Sequence, residues 1–342
     1  MPLYRITMEI SKYRFIHKFI NRRIFLHSLY PRIEPFDQQH LNRGSLHQIY
    51  IEQCGNKNGI PVVFLHGGPG AGCNEQHRCY FDPAIYHIIL FDQRGCGRSI
   101  PKGELSENNT AALVEDVDAI REHLGISQWL IFGGSWGATL GLIYAQNYPQ
   151  RVSGMILRGV FLGRPQDIDW AYSSRGAAQL LPQAWHNLVE SLPVELQQKP
   201  LQHIYQQLIN SDEAISRDMF FKLQQWESAI LNIQPYQSPG EDATINKNPA
   251  IIQIHYSVNN CFIDQNPILK QIDKVRDIPM QIIHGQYDFV CPVEQAWLLS
   301  HYCPKAKLSV INTAGHLASE PLIIDALIAA TIAFYEKLSA QH

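Results

Sequence analysis

Short apolar runs alternate along most of the chain with segments whose apolar residues recur every three or four positions. The runs are four to six residues long, as expected for buried strands, and the segments between them have helical periodicity. This alternation is typical of a parallel sheet flanked by helices. The predicted strands are PVVFL (61–65), YHIILF (86–91), WLIF (129–132), SGMIL (153–157), MQIIH (280–284) and LSVI (308–311).

The alternation is interrupted between about residues 163 and 248, where short apolar runs give way to Gln, Leu and Trp at helical spacing. We therefore predict an α/β fold with a mostly parallel sheet, built from residues 26–162 and 249–342, and a helical cap inserted at 163–248. Residues 1–25 carry six Lys and Arg against one acid. We interpret them as an extension outside the fold; a membrane-surface segment or targeting presequence is the alternative.

The composition bears on three questions: whether the chain binds nucleic acid, whether it spans a membrane, and in which compartment it lies. The 342 residues carry a formal net charge of −3, which argues against a nucleic-acid partner. No run of 18 uncharged apolar residues occurs, so no membrane span is predicted. The seven cysteines are an odd number without paired spacing. With no recognisable signal peptide, we predict reduced thiols and a cytoplasmic location. The pattern does not predict an oligomeric state.

A serine stands between glycines directly after one predicted strand, in Gly133-Gly134-Ser135-Trp136-Gly137. Strand, Gly-x-Ser-x-Gly and helix in this order form the nucleophile elbow of the α/β-hydrolase architecture. The glycines let the strand and the helix approach closely, while the serine takes a strained backbone conformation at the tip of the turn. The pattern therefore predicts that Ser135 is a catalytic nucleophile.

A serine hydroxyl needs a base to take its proton, and this architecture places an acid and then a histidine after later strands. Asp288 follows the predicted strand MQIIH, in GQYDFVCP, and His316 follows LSVI, in NTAGHLASEP. We predict that His316 is the general base. Asp288 then fixes the tautomer of His316 and stabilises its protonated ring.

The glycine-rich stretch HGGPG (66–70) follows another predicted strand, where lipase-like hydrolases carry oxyanion donors. We predict an oxyanion hole formed by the backbone N–H of Gly67 or Gly68 together with that of Trp136. A phosphate-binding loop is the weaker interpretation, because the GKS or GKT ending is absent. No metal site is predicted, since neither HExxH nor a close His/Cys set occurs.

Five motifs together resemble the proline iminopeptidases of the α/β-hydrolase superfamily, from about Leu29 to the C-terminal helix. The motifs are HGGPGAGC, FDQRGCGRS, GGSWGATL, HGQYDFVCP and AGHLASEP. The resemblance implies release of N-terminal proline from short peptides through an acyl-enzyme, without metal or cofactor.

The resemblance also implies three substrate-binding residues. Glu227, in QQWES, takes the family's position for a carboxylate that binds the free amino end, and Arg158, in LRGVFL, that of an arginine that orients the acids. Gln253 stands where the family has a second glutamate. Because glutamine carries no charge, we expect weaker selection for a free N-terminus.

Two other functions remain open at this stage. The change at Gln253 favours a carboxylesterase or amidase on the same scaffold, with relaxed recognition of the amino end. A binding protein on an inactive hydrolase fold is the non-enzymatic alternative. The complete set of Ser135, Asp288 and His316 argues against it, because a binding protein gains nothing from strain at the elbow.

Overall fold

A computed structural model describes residues 26–232, 236–237, 244–263 and 267–339 of the chain. Eight strands form one sheet in the order β1-β2-β4-β3-β5-β6-β7-β8. The pairs β1·β2 and β2·β4 are antiparallel and the other five are parallel. The strands are β1 (Asp37–Arg43), β2 (His47–Gly55), β3 (Ile60–Leu65), β4 (Tyr86–Phe91), β5 (Trp129–Gly134), β6 (Val152–Arg158), β7 (Met280–Gly285) and β8 (Ala306–Ile311).

The predicted mostly parallel sheet is confirmed, and each of the six predicted runs lies in a strand, β3 to β8. Strands β1 and β2 were not predicted. In β1, DQQHLNR, half-buried and exposed positions alternate, so this edge strand has no apolar run to indicate it. It is instead held by its antiparallel partner β2.

Ten helices accompany the strands within the described residues. Asn109 caps the first of them, since its side chain accepts a hydrogen bond from Ala112 N at 3.0 Å. They are α1 (Thr110–His123), α2 (Trp136–Asn147), α3 (Pro165–Tyr172), α4 (Pro182–Val189), α5 (Leu201–Leu208), α6 (Glu213–Ile230), α7 (Asn248–Val258), α8 (Pro267–Lys270), α9 (Glu294–Tyr302) and α10 (Pro321–Ser339).

Side chains alternate between the two faces of the central strands and build two cores. Val63, Leu65 and Leu157 pack with α1, α2 and the helices that follow β6. Phe64 and Ile156 pack on the other face with α10 and the short helical segment Glu75–Tyr80. The carboxyl ends of β3, β5, β6 and β7 therefore form an edge with helices on both sides.

Helices α3 to α8 all lie between β6 and β7 in chain order. Helical structure thus continues through α7 and α8, past residue 248, where the predicted cap ends. The division into a core and a cap stays a prediction. The basic extension 1–25 lies outside the described residues, and none of the described helices has the length and hydrophobicity needed to cross a membrane.

Candidate active site

Ser135 is the single residue between strand β5 and helix α2. Its backbone has φ 57° and ψ −124°, the left-handed region in which a side chain is strained. The turn needs its glycines, because a Cβ on Gly137 would collide with the carbonyl of Leu65, and one on Gly133 with the carbonyl of Gly137. Ser135 N donates to Arg158 O at 2.9 Å, which joins the turn to β6. The hydroxyl is thereby held at the carboxyl edge of the sheet.

Asp288 and His316 meet at this same edge. Asp288 lies just after β7 and His316 after β8, and His316 Nδ1 lies 2.7 Å from Asp288 Oδ2. The other carboxylate oxygen, Oδ1, accepts hydrogen bonds from Val290 N at 3.0 Å and Cys291 N at 2.7 Å. Both oxygens of the carboxylate therefore have fixed partners, which sets the orientation of the imidazole.

Burial alone raises the pKa of Asp288, since only 4% of the residue is exposed. The attraction and hydrogen bond of His316 outweigh burial, with His284 and Cys291 N adding to them, and the pKa lies below its ordinary value. His284 is itself buried, with Nε2 2.7 Å from Cys291 O. Asp288 is therefore ionised beside His316 at neutral pH.

Arg158 is the one predicted substrate-binding residue that the structure does not bring to the others. Its Nη1 donates to His316 O at 2.7 Å and lies 3.3 Å from His316 Nε2. Among the described residues, the hydrogen-bond partners of Glu227 do not include it. The reason is strand alternation: Arg158 follows Leu157 in β6 and lies on the face of Ile156, opposite the helices that carry Glu227.

Two backbone segments approach the serine from the sheet edge. Trp136 N–H belongs to the first turn of α2, where no intrahelical acceptor exists. Gly67 is so close that a Cβ on it would lie 3.3 Å from Gly134 O and 3.5 Å from the Ser135 Cβ. These are the segments of the predicted oxyanion hole.

A buried hydrogen-bond chain joins the two segments through Gln93. Trp136 Nε1 donates to Gln93 Oε1 at 2.9 Å, and Gln93 Nε2 donates to His66 O at 3.0 Å. Gln93 N also donates to His66 Nε2 at 3.0 Å, so the ring proton of neutral His66 is on Nδ1, 2.9 Å from Gly67 O. Burial lowers the pKa of His66, which keeps this ring neutral. Neither Gln93 nor His66 was predicted as a site residue.

A second polar group lies on α3, α6 and α7. Gln253 Nε2 donates to Glu227 Oε1 at 2.7 Å and to Tyr172 Oη at 2.8 Å. Gln224 Nε2 donates to Glu227 Oε2 at 2.8 Å, and Tyr172 Oη to Glu227 Oε1 at 3.4 Å. We call these four residues the carboxylate cluster. Tyr172 was not predicted, although its place on α3 beside Glu227 makes it the bridge between the other members.

The environment of Glu227 disfavours its charge. Burial raises its pKa to about 7, against the hydrogen bonds from Gln224, Tyr172 and Gln253, which lower it. Glu227 is the only carboxylate in the cluster, because position 253 is a glutamine. Its negative charge is therefore shared with three donors and is present in full only above neutral pH.

Two cavities meet at Ser135. The smaller, of about 60 Å³, is lined by Tyr172 and Gln253 of the carboxylate cluster, and further by Phe161, Ile168, Ala171 and Cys261. The larger, of about 400 Å³, is lined by Arg158, His316 and the 66–68 loop. Trp136, Trp226 and Tyr256 are fully buried in the core. Within the described residues no three His, Cys, Asp or Glu side chains lie together as metal ligands would.

Comparison with known proteins identifies the family. Residues 60–321 match the family model described as the alpha/beta hydrolase fold. The chain is 41% identical over 313 residues to a proline iminopeptidase of Xylella fastidiosa, covering 90% of this chain and all of the relative. The chain belongs to the proline iminopeptidase family. It is 41% identical to the Arabidopsis thaliana member, over 94% of this chain and 84% of that protein.

Membership in the proline iminopeptidase family makes this chain a hydrolase of the aminopeptidase class. Solved structures agree with the fold. Proline iminopeptidase from Mycobacterium smegmatis superposes with a TM-score of 0.58 at 17% identity, covering 89% of this chain and all of that one. A proline iminopeptidase-related protein from Thermus thermophilus gives a TM-score of 0.55 at 23% identity, covering 90% of this chain and 98% of that one. At these identities the superpositions concern the fold alone.

Proposed function

We propose that this chain releases N-terminal proline from short peptides, with Ser135 as nucleophile, His316 as general base and Asp288 as the residue that orients His316. The observation that carries the proposal is the 2.7 Å contact between Asp288 and His316 at the edge where Ser135 is held at φ 57°. An ionised carboxylate on Nδ1 leaves Nε2 as the acceptor for a proton.

In the first step Ser135 Oγ attacks the proline carbonyl carbon while His316 Nε2 takes the hydroxyl proton. The carbonyl oxygen becomes negative and accepts hydrogen bonds from Trp136 N–H and from Gly67 or Gly68 N–H. Each such donor is typically worth about 3 kcal/mol of barrier. The C–N bond then breaks, the leaving amine takes the proton from His316, and proline remains as an ester of Ser135. Water repeats the sequence and releases proline.

The smaller cavity is the proposed site of the proline ring, and the carboxylate cluster beside it is the proposed site of amine recognition. Gln253 uses both amide protons on Tyr172 and Glu227, so its Oε1 is the atom available to accept from the imino nitrogen. Glu227 contacts both of these lining residues and supplies the negative charge. An acylated or internal proline lacks the cationic amine and forfeits this attraction.

The negative charge near the amine is indirect in this chain. Asp167 also lines the smaller cavity, but both of its carboxylate oxygens are bonded to Arg164, so Glu227 is the charge that we propose for amine recognition. A hydrogen bond from the cationic amine to a neutral amide oxygen has one charged partner, whereas a carboxylate would make both partners charged and add the attraction of an ion pair. Gln253 therefore offers the substrate the weaker contact, with Glu227 one bond further away. This favours weaker discrimination between free and acylated proline than a pair of carboxylates gives.

The proposal is tested with purified protein and its Ser135→Ala variant on four chromogenic substrates. These are proline anilide, alanine anilide, N-acetyl-proline anilide and a short-chain nitrophenyl ester. We expect proline anilide to be hydrolysed fastest among the anilides, N-acetyl-proline anilide more slowly but measurably, and no hydrolysis by Ser135→Ala. Turnover of the ester alone would instead identify an esterase, the alternative that neutral Gln253 favours. Equal activity of the two proteins would remove Ser135 from the mechanism.

A further inference from the structure

The two cavities at Ser135 differ in whether His316, the proposed general base, lines them. His316 lines the larger cavity and is absent from the lining of the smaller one. In acyl transfer, the leaving amine must receive its proton from the general base. The leaving side of the substrate therefore lies in the larger cavity, and the acyl side in the smaller one next to the carboxylate cluster.

The larger cavity offers an apolar surface with one cation. Its apolar lining comes from the core on the α10 side of the sheet, from the residue after α6 and from the loop after His316: Phe64, Tyr80, Phe132, Leu231, Leu317 and Leu327. Burial of an aromatic or branched aliphatic side chain against such a surface is favourable. Arg158 is the cationic residue of the same lining.

Arg158 lacks a carboxylate partner within the part of the chain that the structure describes. Its hydrogen bonds go from Nη1 to His316 O and Nε2. The nearest acids are engaged elsewhere, Asp288 with His316 and Glu320 with the backbone of Gly315 and Leu317. Burial lowers the pKa of the guanidinium. Arg158 is half-buried, and a cation held partly away from water without a paired anion is costly. This cavity therefore favours an anionic guest.

We propose that the larger cavity binds the residue that follows proline, and that Arg158 pairs with the α-carboxylate of that residue. The favoured substrates are then dipeptides, proline followed by a large apolar residue. This inference rests on the proposed function, because it needs Ser135 and His316 to act on the bond between the two residues.

The distances allow the pairing. The carboxylate carbon of a dipeptide is two bonds, about 2.5 Å, from the leaving nitrogen. That nitrogen must come within hydrogen-bond distance of His316 Nε2, which is 3.3 Å from Arg158 Nη1. An anion here also draws the guanidinium away from Nε2 and frees that lone pair for the proton of Ser135.

The test compares hydrolysis of Pro-Phe, Pro-Phe amide and proline anilide by the wild type, Arg158→Gln and Arg158→Lys. We expect kcat/KM for Pro-Phe to exceed that for its amide about tenfold, because the ion pair is replaced by a hydrogen bond from the guanidinium to an uncharged amide. In Arg158→Gln the ratio should fall to about one, and Arg158→Lys should restore part of it. The ratio cancels any general loss of activity or folded protein.

The apolar part of the site is tested at Leu231, at the end of α6. We expect Leu231→Ser to reduce the preference for Pro-Phe over Pro-Ser, whereas Leu180→Ser, at an exposed leucine outside the cavity lining, leaves it unchanged. Equal hydrolysis of Pro-Phe and its amide by the wild type, or a ratio unmoved in Arg158→Gln, would overturn the inference. If proline anilide is still cleaved, the proposed function survives; if no proline substrate is cleaved, both fall.

Discussion

Two groups of side chains are held in different ways: the carboxylate cluster, and Ser135, Asp288 and His316 at the carboxyl edge of the sheet, which we call the edge. At the edge, backbone atoms do most of the holding: Val290 N and Cys291 N fix Asp288, and Arg158 O fixes the turn at Ser135. In the cluster, Glu227 and Gln253 are held by other side chains from three helices.

We expect this difference to separate the residues that set the rate of the reaction, at the edge, from those that set the substrate preference, in the carboxylate cluster. Few substitutions other than those to proline remove a main-chain contact. The geometry of the edge should therefore change little, and loss of one of its side chains should abolish activity rather than adjust it. A network of side chains can be altered one member at a time, and each change adjusts a preference. We therefore expect substitutions at the edge to lower turnover and those in the cluster to alter which substrate is taken and at which pH.

The largest effect is expected for Asp288→Asn. The asparagine amide would force the wrong tautomer on His316, and kcat should fall about 10⁴-fold with little change in KM. Steady-state kinetics on proline anilide measure it. The matched control is Asp325→Asn. Asp325 Oδ1 lies 2.7 Å from His27 Nδ1, the same distance as in the Asp288–His316 pair, but this pair is exposed. Equal losses in the two variants would contradict the assigned role of Asp288.

Gln93→Met should lower kcat about 100-fold, because the oxyanion donors on the two sides of Ser135 lose the side chain that spaces them. Gln146→Met is the control. Gln146 is similarly buried and lies on α2, the helix of Trp136, from which its Nε2 donates to Ile268 O at 2.8 Å. The rate at which a fluorophosphonate labels Ser135 should fall in parallel with kcat. This measurement does not depend on recognition of proline. An unchanged labelling rate in folded Gln93→Met would show that Gln93 does not position these donors.

Glu227 should destabilise the fold at high pH. Its pKa is near 4.5 when unfolded and about 7 when folded, so the folded state binds the extra proton between these values. Stability is then lost as pH rises through about 7. Glu227→Gln should gain about 2 kcal/mol over the wild type on going from pH 5 to pH 8, equivalent to about 30-fold in the unfolding equilibrium. Denaturant unfolding at both pH values measures it, and a pH-independent difference would contradict the raised pKa.

The smallest effect is expected on selectivity. Glu227→Gln should reduce the kcat/KM ratio of proline anilide to N-acetyl-proline anilide about tenfold at pH 8. In the wild type this ratio should fall as pH drops below about 7, because Glu227 takes up a proton, and the variant should show no such change. Glu195→Gln, at an exposed position, is the control for a lost surface charge. If the ratio does not change with pH in the wild type, Glu227 does not take part in amine recognition.

The sheet and its serine turn were predictable because local patterns determine them. Buried parallel strands appear as apolar runs, and only glycine fits at 133 and 137. The polar edge strand β1 has no such signal, and its place depends on pairing with β2. Gln93 was also missed, because nothing in DQRGCGRS shows that its side chain joins His66 to Trp136.

The position of Arg158 could not be taken from the family resemblance alone and had to be checked against the geometry of strand β6. The motif suggested a role near Glu227, but alternation along β6 turns consecutive side chains to opposite faces. With Leu157 facing α2, Arg158 has to face the side of Ile156. The face on which Arg158 lies could therefore have been predicted from the alternation of residues along the predicted strand SGMIL and the arginine that follows it. The bonding of Gln253 to Tyr172 depends instead on how α3 and α7 pack, which no local pattern contains.

The insertion of six helices between β6 and β7 also orders events during synthesis. About 180 residues separate Ser135 from His316. At the usual 5–20 residues per second, a ribosome needs about 10 to 35 s to make them. The nascent chain therefore carries Ser135 for that time without His316, and the last two strands must dock beside β6 before the three groups meet. If these residues have the proposed roles, the growing chain has no hydrolytic activity until His316 has been added and β8 has docked.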